Sequence, residues 1–215
     1  MTQLAIGLHY RIVDEVPIFL DARQGRYFLL RGEMARSFFA FASGHASPSQ
    51  IETLAQHRLV EPDAPPRKTE SEAMPASASY IDGSLPRVSA RLAGEAVLRQ
   101  WSAKLTLRRR GFARVVRDLE KAQALRKKRP HQVPGASEAA IAAAFLQAQR
   151  FISAADQCLP RSLAMAAMLD SLGHTPTVVM GVQLPFAAHC WVQCENRVVS
   201  DPLERIADFK PILAL

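Results

Sequence analysis

Cysteine is scarce in this chain. Three residues in 215, an odd number, cannot make a disulfide framework and suit a reducing compartment, the cytoplasm. Long apolar runs are missing too, so no segment reads as a transmembrane helix. The opening "MTQLAIGLHYR" has neither a charged lead nor an apolar signal core, which leaves no export signal to read. Zinc-finger spacing is absent, and no basic strand is studded with aromatics, so the common nucleic-acid modules are not offered. Acids are short in one place. Between Leu98 and His131 twelve Lys or Arg residues stand against two acids, Asp118 and Glu120, within a net charge of +7. That stripe reads as a solvated helix face, or as a surface for an acidic peptide, nucleic acid or a partner protein. What remains, 48% hydrophobic and 22% charged, is an ordinary globular composition with room for one large domain or two small ones.

Residues 1–61 read as one small unit. "LHYRIV", "PIFLD" and "RYFLLR" are short strand candidates, the last two split by a turn from Asp21 to Gly25. "GEMARSFFAFASG" has helical spacing, with Met34, Phe38, Phe41 and Ala42 on one face and Gly44 as its stop. Ser47-Pro48 opens a second helix with Ile51, Leu54 and Ala55 inward, and "HRLVEP" is expected as a third. Three strands and three helices make a winged-helix-like layout. Residues 62–89 change texture: five prolines fall among Ala, Ser and charged residues, the mark of a linker or strap. Helical patterns follow at about 90–107, 112–125 and 137–152. After Pro176 come three strand candidates, "TVVMGV", "AHCWVQC" and "RVVSD". Helices followed by an antiparallel sheet make residues 90–215 α+β.

In "DQCLPRSLAMAAMLDSLG" Pro160 belongs to the first turn of a helix that Gly173 ends. Cys158 therefore sits at a helix N-terminus, where the dipole favours a thiolate. Position alone also allows a plain core cysteine, so the question is whether the thiol has a base. A nucleophilic cysteine needs one within hydrogen-bond reach, and a third group to orient it.

His189 is the candidate base, lying in a strand pattern downstream. On that strand His189, Trp191 and Gln193 share one face, while Cys190, Val192 and Cys194 share the other. The alternation sets His189 and Cys190 on opposed faces, which disfavours a Cys/His zinc site. Asp201 is the candidate orienter, and register decides its reach. A two-residue turn at Glu195-Asn196 would pair Cys190 with Asp201 and send the carboxylate to the wrong face. A three-residue turn ending on Asn196, a residue that tolerates αL, pairs His189 with Asp201 directly. We therefore expect the three-residue turn.

"CLPRSLAMAAMLDSLGHTPTVVMGV", then "PFAAHCWV", then "RVVSD" resemble the B proteins of lasso-peptide biosynthesis. The C-terminal half of that family is transglutaminase-like (papain-like). The resemblance implies a Cys-His-Asp triad on Cys158, His189 and Asp201. It further implies a cysteine endopeptidase that removes the leader from a ribosomally made precursor peptide. Residues 1–61 resemble the fused leader-recognition domain. Leader docking as an added strand would use the "RYFLLR" strand, with Tyr27, Phe28, Leu29 and Leu30 as candidate leader-binding residues. The partners implied are the precursor's leader segment and an ATP-dependent macrolactam synthetase, with no cofactor, metal, nucleic acid or membrane. Candidate oxyanion donors are the Cys158 N–H and the Gln157 side chain. Two other readings share the sequence: an acyltransferase with the same triad, and a non-enzymatic basic binding protein.

Overall fold

The structure, a computed structural model, describes residues 2–61, 73–126, 135–152 and 158–215. The chain opens with β1 (Gln3–Leu4) and an antiparallel meander of β2 (Leu8–Val13), β3 (Val16–Asp21) and β4 (Arg26–Leu29), with β3 in the middle. Asp21 shapes the turn into β4, its Oδ1 accepting from Arg23 N at 2.9 Å and Gln24 N at 3.0 Å. Next come α1 (Gly32–Ala42) and α2 (Pro48–Gln56). A reciprocal cap starts α2: Gln50 N donates to Ser47 Oγ, and Ser47 N donates to Gln50 Oε1.

The expected third helix does not form. Arg58 takes φ +57° and ends α2, with Arg58 N donating to Ala55 O (2.8 Å) and Leu59 N to Leu54 O (2.9 Å). This cap throws the chain outward as β5 (Val60–Glu61), which pairs antiparallel with β1. Leu59 and Val60 thereby pack beside Leu54, Phe38 and Phe19. A further helical turn would have carried them away from that cluster.

Strand alternation buries both faces of β3. Phe19 points to α1 and α2, whereas Ile18 and Leu20 join the main core with residues of the C-terminal half. The N-terminal sheet is thus a wall common to both parts.

Residues 62–72 of the linker reading lie outside the described residues. Its later part enters a sheet, as β6 (Ala78–Ser79). There follow α3 (Ala90–Arg110), α4 (Phe112–Arg126), α5 (Glu138–Ala148), α6 (Cys158–Ser171), β7 (Pro176–Gln183), β8 (Ala187–Cys194), β9 (Arg197–Val198), α7 (Leu203–Ile206) and β10 (Lys210–Ala214). The second sheet runs β10-β7-β8-β9-β6, antiparallel except for β6 beside β9. Gly173, at φ +90°, closes α6 with His174 N on Leu169 O at 3.0 Å. α3 and α5 pack on α6, and α6 packs on β7 and β8. The chain is α+β, with its helix-on-sheet layer in the C-terminal part, as its sequence pattern leads one to expect. No described helix is long and apolar enough to cross a membrane.

Candidate functional site

Cys158 opens α6 as described, and Pro160 stands in its first turn. One turn on, Ser162 Oγ donates to Cys190 O at 3.0 Å, pinning the start of α6 to β8 directly after His189. This clasp sets thiol and imidazole side by side. His189 is held from the other directions by rings, with Trp191 at 6.4 Å and Phe209 at 5.5 Å between centroids. Opposite it on β7 stands Gly181, where a Cβ would come within 2.6 Å of the Trp191 ring. Only a bare backbone lets the indole lie there.

The turn before Asp201 differs from expectation. Cys194 pairs with Arg197 and Gln193 with Val198, so the loop is the two-residue Glu195-Asn196 turn. The residue with positive φ is Glu195, at +52°, and not Asn196. Continued regularly, this register would place Asp201 opposite Cys190. It is not continued. Val199 N still donates to Val192 O at 2.8 Å, but the return bond from Val192 N goes to Ser200 Oγ, at 2.9 Å, in place of a strand carbonyl. The chain turns away at that point and carries Asp201 round to the His189 face. Asp201 Oδ1 then lies 3.2 Å from His189 Nε2, and its Oδ2 accepts from Ser200 Oγ at 2.5 Å. The pair that direct register was expected to make is made by a break in register.

Arg161 braces the same corner, donating to Ser200 O. With the Gln149 amide oxygen facing it, Arg161 also donates through Nη1 and Nη2 at 2.8 and 2.9 Å. Arg205 approaches Asp201 Oδ1 at 3.6 Å from a more exposed position. Ser162, Ser200, Arg161 and Gln149 were not singled out from the sequence. "RVVSD" contains the signal for one of them, since a serine before a needed carboxylate can take over a strand bond.

The electrostatics follow from these contacts. The hydrogen bond with His189 lowers the Cys158 pKa against the opposing effect of burial, helped by backbone hydrogen bonds at Leu159 and Cys190. Burial disfavours a charged His189, yet Asp201 and Cys158 together raise its pKa to about 9. Burial likewise opposes the Asp201 carboxylate, and His189, Arg161 and Ser200 nonetheless hold its pKa low. With Nε2 committed to Asp201, Nδ1 is the ring atom left for the thiol. These shifts all favour a thiolate–imidazolium pair backed by a carboxylate. A cleft of about 210 Å³ opens onto it, walled by Gln100, Ile152 and Arg161.

Burial raises the pKa of both Cys190 and Cys194, which keeps them as thiols in the main core on the face away from Trp191. His174 is tied to α5 through Glu138 at 3.1 Å and Ala136 O at 2.7 Å. Gln157 lies outside the described residues. Among the described residues no group of three or more His, Cys, Asp or Glu side chains could hold a metal ion.

The other candidate residues are half-buried. Tyr27 and Leu29 face the main core, and Phe28 and Leu30 face the α1–α2 core. The Tyr27 ring lies 5.8 Å from Phe186, and its hydroxyl pKa is raised by burial and then by the nearby Cys190 and Cys158. β4 pairs with β3 on one side only, so its other edge has no strand among the described residues.

No match was found among curated proteins or among solved structures. A family comparison, by contrast, matches the transglutaminase-like superfamily over residues 97–214, more than half of the chain. Members of that superfamily are commonly cysteine-dependent enzymes, and the matched segment contains Cys158, His189 and Asp201. The chain belongs to the transglutaminase-like superfamily.

Proposed function

We propose that the protein is a cysteine endopeptidase that cleaves the leader from a ribosomally made lasso-peptide precursor. The observation carrying the chemistry is the contiguous Cys158–His189–Asp201 row, with Asp201 on Nε2 at 3.2 Å and the Cys158 thiol hydrogen-bonded to the same imidazole. The Cys158 thiolate attacks the scissile carbonyl carbon, and the Cys158 N–H donates to the oxyanion. The amide C–N bond breaks as imidazolium His189 protonates the leaving amine. Neutral His189 next takes a proton from water, which attacks the thioester and releases acid and thiolate. Asp201 keeps the ring oriented and stabilises its charge throughout.

Residues 1–61 serve as leader-recognition unit in this reading. The open β4 edge supports strand addition through backbone hydrogen bonds, and β4 lies beside Phe186 and close to Cys158. Tethering a leader there raises the local concentration of the scissile bond at the cleft. The released core then passes to an ATP-dependent macrolactam synthetase in the same, cytoplasmic, compartment.

The test is incubation of the whole protein with a lasso-peptide precursor, read by mass spectrometry with and without a primary-amine acceptor. Leader and core as free acids, with Cys158→Ala inactive and still leader-binding, is the expected result. Amine adducts in place of acids would assign an acyltransferase, and unchanged cleavage by Cys158→Ala would overturn the triad.

A further inference from the structure

α3 is amphipathic twice over. One stripe, Ala93, Ala96 and Gln100, is buried against the neighbouring helices. A second, Trp101 and Leu105, points outward at 65% and 47% exposure, and Phe151 beside it is 75% exposed. These residues line a groove of about 700 Å³, within the range of ligand sites. Large exposed apolar side chains gathered in one concavity mark a binding surface more than a solvated face.

Two observations say what occupies it. First, the groove is continuous with the cleft: Gln100 and Ile152 line both. A chain whose carbonyl lies at Cys158 would run along these shared residues toward Trp101. Second, the far end is basic, with Lys104 and Arg108 in the lining and Arg109 and Arg110 following in the last turn of α3. From Trp101 to Arg108 the helix rises about 10 Å, the length of roughly three residues of extended chain.

We propose that this groove is an extended subsite for peptide substrate, taking a large apolar side chain near the scissile bond and an acidic side chain about three residues further out. The inference rests on the peptidase reading and narrows it to a substrate class, an apolar-acidic extended segment. It also gives part of the basic stripe a task. Trp101 and Leu105 would fix the register of the peptide, while Arg108 excludes basic residues at the far position.

Two measurements on the whole protein test it. Cleavage of an acetylated decapeptide library by the wild type, sequenced by mass spectrometry, should show Leu, Phe or Tyr enriched at one fixed offset and Asp or Glu about three residues beyond. Trp101→Ala should lower kcat/KM for apolar peptides about tenfold through KM while sparing peptides with Gly there. Arg108→Glu should reverse the acidic preference.

Separately, Trp101 emission is a binding signal, because the other tryptophan, Trp191, is 2% exposed. Titrating Cys158→Ala with Ac-GGLGEE-NH2 and its reverse sequence should give a saturable blue shift with one of them, weakened at least tenfold by Leu105→Glu and absent with a Gly-Ser hexapeptide. Saturable binding without any cleavage would leave the groove standing and remove the peptidase reading. Cleavage with no side-chain preference, a preference that survives Trp101→Ala, or no saturable shift with either peptide would overturn the subsite. So would a wild-type dimer in sedimentation that Leu105→Glu dissociates, since the occupant would then be a second copy.

Discussion

Ser200→Ala removes one oxygen from a place where that atom makes two bonds. Its Oγ accepts from Val192 N at 2.9 Å and donates to Asp201 Oδ2 at 2.5 Å, and all three residues are buried. Without it the Val192 N–H has no strand carbonyl to return to, an orphaned buried donor that costs about 1–3 kcal/mol. The lost bond to an ionised carboxylate adds about 1.5–3 kcal/mol, and since the corner relaxes the two overlap to about 2–4 kcal/mol in all. For a chain of this size that is a fall in Tm on the order of 5–15 °C. Activity should drop further than stability alone explains. A freed Asp201 no longer meets Nε2 squarely, so kcat falls by about tenfold or more, roughly 1.4 kcal/mol per decade. The basic limb of the pH–rate profile should also move down from about 9, because Asp201, with Cys158, lifts the His189 pKa. Ser200→Thr, which keeps the hydroxyl, should recover most of both. Cleavage rate, pH profile and thermal midpoint are measured on the same preparations. A Ser200→Ala protein with a lowered Tm but unaltered kcat and basic limb would show that Asp201 is held without Ser200, and the account of the register break would fail.

Wild-type kcat/KM should decline as pH rises through about 9, where His189 loses the proton needed by the leaving amine. It should decline on the acid side at a pH below the ordinary thiol pKa, since the Cys158 value is lowered. Stability follows the two groups together: the raised His189 loses its contribution as pH climbs from 6.5 through about 9, while the lowered Cys158 gains one as pH climbs toward the unfolded thiol value of 9.0, so the two oppose each other and Tm should change little across that window. Asp201, held low, contributes above its unfolded value and loses that share only as pH falls through its depressed value, which acid melts would register. Glu195→Gly should be neutral or stabilising at φ +52°, whereas Glu195→Val should cost about 1–2 kcal/mol. Asn196→Val should cost less than Glu195→Val in the same denaturation series. Residues 1–61 alone should associate or stay poorly soluble, because Val13, Ile18 and Leu20 lose their cover; a monodisperse, cooperatively melting fragment would contradict this.

The parts of the site legible in the sequence were those with local causes. Pro160 and Gly173 bracket α6, and alternation along "AHCWVQC" sorts Trp191 from Cys190, Val192 and Cys194 as the two cores do. Register was not legible. A turn preference for αL at Asn196 is worth a few tenths to one kcal/mol, and Glu195 took the left-handed conformation instead, while Asn196 used its side chain on Ser77 at 2.8 Å. The hydroxyl that redirects Asp201 leaves only the serine of "RVVSD" as a trace in the sequence, because its bond to Val192 N is a tertiary contact. The missing third helix has a similar cause, a helix cap followed by β-pairing with a strand nearly sixty residues earlier. The sequence does carry one further clue: Ile18, Phe19 and Leu20 are consecutive apolars, the mark of a strand covered on both faces.

That doubly covered strand bears on how such a gene can be divided. Two modules joined as beads can be separated by a stop and a start codon, each half keeping a finished surface. Here a cut after residue 61 would bare the Val13, Ile18 and Leu20 side of the sheet and, on the other fragment, the apolar residues that met it. A version of this chain encoded in two pieces should therefore need polar residues at positions 13, 18 and 20, or keep the same apolar ones and remain a permanent heterodimer.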